Sequence, residues 1–347
     1  MKILLGLSGG VDSTYAALAL TEQGHEVAAA TLIMHDGMNT EQARESASAL
    51  GIPLYEIDCR GSFGECVIKN FVDEYANART PNPCVICNSE IKFIKLLEFA
   101  EEHGFDAIAT GHYARVRKLS DDKGEYYAVS RGADVKKDQT YMLYRLPQKV
   151  LSRLVLPLSD ITKEQIRSRS SEAGLTAAER ADSQEICFIP DGDYATYVEK
   201  IKGKSPEGDF VDENGNVIGK HKGIIRYTVG QRKGLGISAA SRIFVTKIDP
   251  MSNTVHLSSQ DPHSGVVKIS GIVYSGMREP RYGESRELSV KLRYAAPEVP
   301  ARVEFFGDKA TIYLKFDVRA VTPGQSAVMY DGDTVVAGGF IDAQTES

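Results

Sequence analysis

The stretch Leu4-Leu5-Gly6-Leu7-Ser8-Gly9-Gly10-Val11-Asp12-Ser13 limits what this chain can become more than any other. Lys2 to Leu7 is an apolar run of buried-strand length. Thr14 to Thr21 is rich in alanine and leucine, and Gln23-Gly24 supplies a helix stop. Ser8 to Ser13 is therefore expected as a tight turn between a strand and a helix N-terminus. Gly9 and Gly10 permit positive φ and close backbone approach to a ligand. The first amides of a helix lack internal partners and carry the positive end of its dipole, so the turn suits a phosphate. Ser8 and Ser13 add hydroxyl donors. Asp12 is the odd member, because a carboxylate repels phosphate unless Mg²⁺ lies between them.

The rest of the first 110 residues repeats the strand-then-helix theme. Glu26 to Ile33, Pro53 to Ile57 and Asp106 to Thr110 read as strands. Thr40 to Leu50, Val67 to Ala78 and Asn88 to His103 read as helices, and Thr162 to Ala173 as a later one capped by Thr162. This alternation predicts right-handed crossovers and a doubly wound parallel sheet, an α/β fold. Ligands bind such sheets at the carboxyl ends of the strands, where the glycine turn, Met34-His35-Asp36 and Thr110-Gly111-His112 all fall.

From about Gly203 the texture changes to recurring glycines between short alternating runs, a small β-rich region. From about Gly265, alternating runs such as Leu288 to Leu292 and Thr311 to Phe316 predict a C-terminal β-barrel of six strands. The expected domains are 1–200, 201–264 and 265–347.

The 347 residues carry a formal net charge of −6, unevenly spread. Residues 1–200 hold 22 Lys and Arg against 30 Asp and Glu, whereas residues 201–347 hold 19 against 17. Asn214 to Ile248 contains no acid but has Lys220, Lys222, Arg226, Arg232, Lys233, Arg242 and Lys247. A local patch of this kind governs phosphate binding more than the total does. No apolar run reaches the ~18 residues of a membrane span. The start is too short and glycine-broken for a signal sequence, so a cytoplasmic protein with no membrane partner is expected.

Five cysteines argue for thiol chemistry or metal binding rather than a disulfide framework. Cys84-Val85-Ile86-Cys87 follows Thr80-Pro81-Asn82-Pro83. Asn88 or Ser89 is expected to cap the helix that follows. That would put Cys87 at its N-terminus, where the dipole lowers a thiol pKa. The spacing alone fits half a zinc site, a redox pair, a cluster site or two ordinary cysteines. Cys59 and Cys66 read as core or surface residues.

The glycine turn is not a Walker A loop, since the Gly-Lys-Ser/Thr ending is missing. Its SGGxDS pattern resembles the PP-loop of ATP pyrophosphatases, which cut ATP between its α and β phosphates and adenylate a substrate. Further motifs follow in order. They are Arg79-Thr-Pro-Asn-Pro with Cys87-Asn-x-Glu-Ile-Lys-Phe93, Ala109-Thr-Gly-His-Tyr113, Lys137-Asp-Gln139, Asp182-Ser-x-x-Ile-Cys-Phe188, Tyr227 to Ile237 and Ala320 to Ala327. Together with the loop they resemble the tRNA-specific 2-thiouridylases, over nearly the whole chain. That family exchanges the 2-oxygen of a wobble uridine for sulfur. It joins a PP-loop domain, a small central domain and a β-barrel.

The resemblance implies the following roles. Gly6, Leu7, Ser8, Gly9, Gly10, Val11, Asp12 and Ser13 bind ATP with its Mg²⁺, and Met34 and Gly111 line the adenine or ribose side. Cys87 is the nucleophile, Cys187 carries a persulfide, and Asp12 serves the adenylation. Asn82, Pro83 and Cys84 meet the target base. His112, Lys137, Asp138, Gln139, Arg293, Tyr294 and Gln325 contact tRNA. A sulfur donor such as a cysteine desulfurase or relay protein is implied as a partner.

Many relatives have aspartate where this chain has Cys84. Cys84, Cys87 and Cys187 could instead hold three irons of a [4Fe–4S] cluster, leaving the fourth open for sulfide. Two mechanisms thus stand, a persulfide relay and cluster-bound hydrosulfide, and the extra cysteine favours the cluster. Another adenylating PP-loop ligase would need no cysteines. An RNA-binding module would keep ATP only as a structural ligand.

Overall fold

The computed structural model describes residues 1–180, 186–237 and 242–343. Asp182 to Glu185 of the Cys187 motif lie outside the described residues. The strands β1 (Lys2–Gly6), β2 (Glu26–Ile33), β3 (Leu54–Asp58), β4 (Ala107–Thr110) and a two-residue strand at Leu154–Val155 form one parallel sheet. Its order is β3-β2-β1-β4 and then Leu154–Val155. β1 is central, pairing Leu4 with Ala28 on one side and with Ile108 on the other. Its Ile3, Leu4 and Leu5 have no exposed surface, as a strand covered by helices on both faces requires. Alternate residues feed two apolar cores, Leu4 and Ile108 into one, Ile3, Leu5 and Ala109 into the other.

α1 (Val11–Glu22) follows the glycine turn and packs Val11, Tyr15 and Leu20 into the second core. The chain is helical over 60–76 and again over 83–102, each with a π-helical stretch inside, at Gly64–Ile68 and Cys87–Lys92. The second helix starts at Pro83 with Asn82 as its N-cap, five residues earlier than the sequence reading placed it. Proline at the first helical position has no amide to lose and the right φ, so Pro83 opens the helix instead of extending the approach to it.

The hairpin Arg115–Asp121 with Gly124–Ser130 leaves the parallel sheet and joins the C-terminal domain, pairing Ser130 with Thr334. A four-stranded central sheet runs Phe244–Asp249, Thr254–Ser258, Gly208–Val211, Val217–His221 in spatial order. The C-terminal strands His263–Val273, Lys309–Arg319, Val299–Phe306, Ser285–Lys291, Ser326–Asp331 and Thr334–Ile341 follow one another around a ring. Pairing of the first with the last closes it. This is the expected six-stranded barrel, filled by Val267, Val290, Val303, Phe305 and Ile312. Among the described residues, no helix is long and apolar enough to cross a membrane.

Candidate active site

At the carboxyl end of β1 the chain turns sharply. Gly9 has φ +81°, and a Cβ there would come 2.6 Å from the Ala43 amide nitrogen, so only glycine fits. Gly10 is the N-cap of α1. The two serines brace the turn. Ser13 Oγ accepts from the Ser8 amide at 3.2 Å and lies 3.1 Å from Ser8 Oγ. Gly111 approaches from β4 so closely that a Cβ would sit 2.8 Å from the Ser13 amide nitrogen. Between these segments opens a cleft of about 250 Å³. Gly6, Leu7, Ser8, Asp12 and Ser13 form its floor, Met34 and Met38 an apolar side, and Gly111, His112 and Gln139 the far wall. Gly9, Gly10 and Val11 shape the loop from behind, Val11 being buried.

Asp12 is held by two residues that sequence reasoning missed. Lys163 Nζ lies 2.8 Å from each carboxylate oxygen, and Tyr113 Oη donates to Oδ1 at 2.5 Å. The lysine offsets the carboxylate charge that Mg²⁺ alone was expected to offset. Arg180, also unanticipated, donates to the Gly9 carbonyl and at 2.6 Å to Glu45, tying the loop to the helix Glu41–Leu50.

The helix 83–102 links this cleft to the thiols. Lys92 stands in the cleft wall. Its charge pulls the pKa of Cys87 downward, but burial outweighs it. Burial pushes the Cys87 thiol up to about 11. The lowered pKa expected at a helix N-terminus is therefore not found. Cys87 lies a full turn inside the helix, where the first-turn amides no longer face it. Cys187 is exposed on a turn closed by Ile189 N–H to the Ile186 carbonyl at 2.8 Å. Phe188 seats that turn edge-on against Phe63 and Phe71, at 5.6 and 5.3 Å. Cys84, Cys87 and Cys187 lie within electrostatic reach of one another. Cys59 is buried and Cys66 exposed, and all five thiols are free.

The cluster favoured by the sequence gains no support. Among the described residues, no three His, Cys, Asp or Glu side chains are grouped to hold a metal ion. As arranged, the cysteines do not fit a cluster.

The residues expected at the RNA divide into groups. His112 and Gln139 line the cleft itself. The Gln139 side chain accepts from the Tyr113 amide at 2.9 Å. His112 Nδ1 meets Thr110 Oγ1 at 2.8 Å, and burial and then Lys92 hold its pKa well below the usual histidine range. Tyr294 stands within electrostatic reach of Cys84, Lys137 and Asp138, so barrel and thiol segment converge there. Asn82 occupies the N-cap position of the thiol helix without a side-chain capping bond, and its Nδ2 lies 3.6 Å from Met142 Sδ. Asp138 is buried and accepts from the Thr140 amide and hydroxyl at 3.0 and 3.1 Å. Arg293 turns inward to the Ala320 carbonyl and Thr322 hydroxyl. Gln325 reaches back to the N-terminal domain, donating to the Thr80 carbonyl at 2.8 Å.

Comparison with known proteins agrees along the whole chain. Three family models match in succession. They are a tRNA methyl transferase HUP domain over residues 1–191, a tRNA methyl transferase PRC-barrel domain over 195–259 and an aminomethyltransferase beta-barrel domain over 264–341. The tRNA-specific 2-thiouridylase MnmA 1 of Caldanaerobacter subterraneus subsp. tengcongensis is 42% identical, covering 98% of both chains. The tRNA-specific 2-thiouridylase MnmA of Clostridioides difficile is 41% identical with the same coverage. A solved 4-thiouridine synthetase–RNA complex with bound ATP is similar over 57% of this chain and 50% of its own, at 18% identity and a TM-score of 0.37.

Proposed function

The chain belongs to the tRNA-specific 2-thiouridylase family, and from that premise we propose that it uses ATP to replace the 2-oxygen of a wobble uridine in tRNA with sulfur. The observation that carries the reading is the helix 83–102. It bears Lys92 in the wall of the glycine-turn cleft, with Cys87 about one turn and Cys84 about two turns away. Activation and sulfur delivery can then act on one base.

ATP enters the cleft as substrate with its Mg²⁺. Amides of the turn from Ser8 to Ser13 and the N-terminus of α1 face its phosphates. Met34 offers an apolar contact to the adenine, and Gly111 lines the ribose side. The base leaves its stack to reach this pocket. Asn82, Pro83, Cys84 and His112 surround it, and Lys137, Gln139 and Tyr294 lie toward the RNA. Uridine O2 attacks the α-phosphorus, the bond to the β-phosphate oxygen breaks, and pyrophosphate leaves. C2 is now electrophilic.

Cys187 carries a persulfide loaded by a cysteine desulfurase or relay protein. Its terminal sulfur bonds to C2, and AMP departs with the former O2. The Cys87 thiol loses its proton and attacks Cys187 Sγ. The sulfur–sulfur bond breaks, sulfur stays on C2 as the thione, and a Cys87–Cys187 disulfide forms. The transferred sulfur is reduced by the two thiols, and an external dithiol reopens the disulfide.

The test is a paired assay on the full chain with tRNA, ATP and a persulfide donor. One arm reads pyrophosphate and the other reads 2-thiouridine by mass spectrometry of digested tRNA. Cys187→Ser and Cys87→Ser are expected to keep tRNA-dependent pyrophosphate release and lose thiolation. Thiolation surviving in Cys187→Ser would sink the relay. Pyrophosphate release indifferent to tRNA would sink the activation step.

A further inference from the structure

Thr80 is where three domains meet. Its amide donates to the Pro323 carbonyl of the barrel at 2.8 Å. Its carbonyl accepts from Gln325 Nε2 at 2.8 Å, and the same nitrogen lies 3.3 Å from the Pro81 carbonyl. Its hydroxyl lies 3.2 Å from the Thr228 hydroxyl of the central domain. Beside it, Gly324 has φ +89°, and a Cβ there would come 2.9 Å from the Thr80 amide nitrogen and 3.0 Å from Arg79 Cβ.

The barrel corner that makes these contacts is itself pinned. The Gly324 amide donates to the Ile341 carbonyl at 2.9 Å, and the Ile341 amide to the Gln325 carbonyl at 2.8 Å. Arg293 fastens the preceding turn through Thr322 and the Ala320 carbonyl. On the other side, Thr80 is followed by Pro81-Asn82-Pro83 and then Cys84 and Cys87. The prolines lock two of the three intervening φ angles, so a displacement of Thr80 is passed to the helix start rather than absorbed.

We infer that the barrel corner 322–325 is a positioning element for the thiol segment, and that Gln325 is its positioning residue. Gln325 spends its amide nitrogen on the Thr80 and Pro81 carbonyls, which fixes the start of the helix that carries Cys84 and Cys87. The consequence for catalysis rests on the sulfur-transfer reading above; the structural consequence does not. The barrel thereby acts on the chemistry as well as on RNA.

The experiment uses the full chain carrying Gln325→Ala, Gln325→Glu or Gly324→Ala. Glutamate keeps the length but turns an oxygen toward two carbonyls. The first readout is the rate of iodoacetamide labelling at Cys84 and Cys87 without tRNA, resolved by mass spectrometry. A residue that only contacts RNA cannot alter it. The second is thiolation against tRNA-dependent pyrophosphate release. A several-fold change in labelling is expected, with thiolation slowed about 10- to 100-fold while the KM for tRNA stays within about twofold. Unchanged labelling together with a raised KM for tRNA would overturn the inference and make Gln325 an RNA contact. If Gly324→Ala does not fold, the two Gln325 variants, which ask nothing of the backbone, decide the matter. If the wild type releases no pyrophosphate with tRNA, the functional reading fails, and the labelling arm still decides the role of Gln325.

Discussion

Lys163 Nζ sits 2.8 Å from both carboxylate oxygens of Asp12, 151 residues away in sequence. The lysine opens the helix Lys163–Glu172, so its position is set by the capping box of Thr162 and Gln165. The Asp134 carboxylate also accepts from the Lys163 amide at 2.9 Å. The pair is well shielded, the lysine side chain being 10% exposed and the aspartate 31%. A carboxylate beside a phosphate site is tolerable when a cation neutralises it at contact distance. Lys163→Met is expected to leave the Asp12 charge facing ATP. The KM for ATP should rise about tenfold or more, with Lys163→Arg restoring part of it, as read by pyrophosphate release. A KM unmoved by Lys163→Met would mean that the bound Mg²⁺ offsets Asp12 without help.

The two turn glycines should behave differently. Gly9 needs positive φ, and a Cβ there would strike the backbone of the helix Glu41–Leu50. Gly10 has φ −72°, and the nearest obstacle to a Cβ is Ser8 Oγ at 3.5 Å. Gly9→Ala is expected to cost about 1–2 kcal/mol from the dihedral alone, with the backbone collision adding to it. Gly10→Ala should stay within about 1 kcal/mol of the wild type. Urea unfolding of both variants checks the contrast, and equal losses would refute the assigned geometry.

Thiol reactivity should rise steeply with pH. With the Cys87 pKa near 11, only about one thiol in a thousand is thiolate at pH 8. Labelling of Cys87 in the free protein is expected to climb about tenfold per pH unit from 7 to 10. Lys92 lowers the pKa of Cys87, so Lys92→Met should slow labelling at every pH in that range. A plateau below pH 9 would show that the thiol is activated already in the free protein.

Local signals carried much of this molecule. The strand, turn and helix from Lys2 to Glu22 were legible because glycine, serine and apolar spacing act over neighbouring residues. The barrel was legible because its strands alternate polar and apolar residues, although their order around the ring, with His263–Val273 beside Lys309–Arg319, was not. What escaped depends on distant partners. Tyr113 and Arg180 reach the turn from 101 and 171 residues away, and no pattern near either residue announces the contact. The hairpin Arg115–Ser130 reads as ordinary alternation, yet it pairs with a strand two hundred residues later. The start of the thiol helix was misplaced for a local reason. Pro81-Asn82-Pro83 resembles an extended run, and only the fold selects Pro83 as a first helical residue.

The basic stretch of the central domain is sorted by the structure into spent and available charge. Lys220 pairs with Asp209 at 2.5 Å and Arg226 with Glu199 at 2.6 Å. Lys222, Arg232 and Lys233 are exposed. Phosphate contacts release counterions, so each lost contact should lower the slope of log K against log salt by about one. Replacing Lys222, Arg232 and Lys233 together by alanine is expected to weaken tRNA binding and flatten that slope by about two to three. Lys220→Ala, which removes a charge already paired with Asp209, should change it by less than about one. Filter binding of labelled tRNA between 50 and 300 mM salt reads both. An unaltered slope in the triple variant would take this surface out of the RNA path and leave the recognition to the barrel and the catalytic domain.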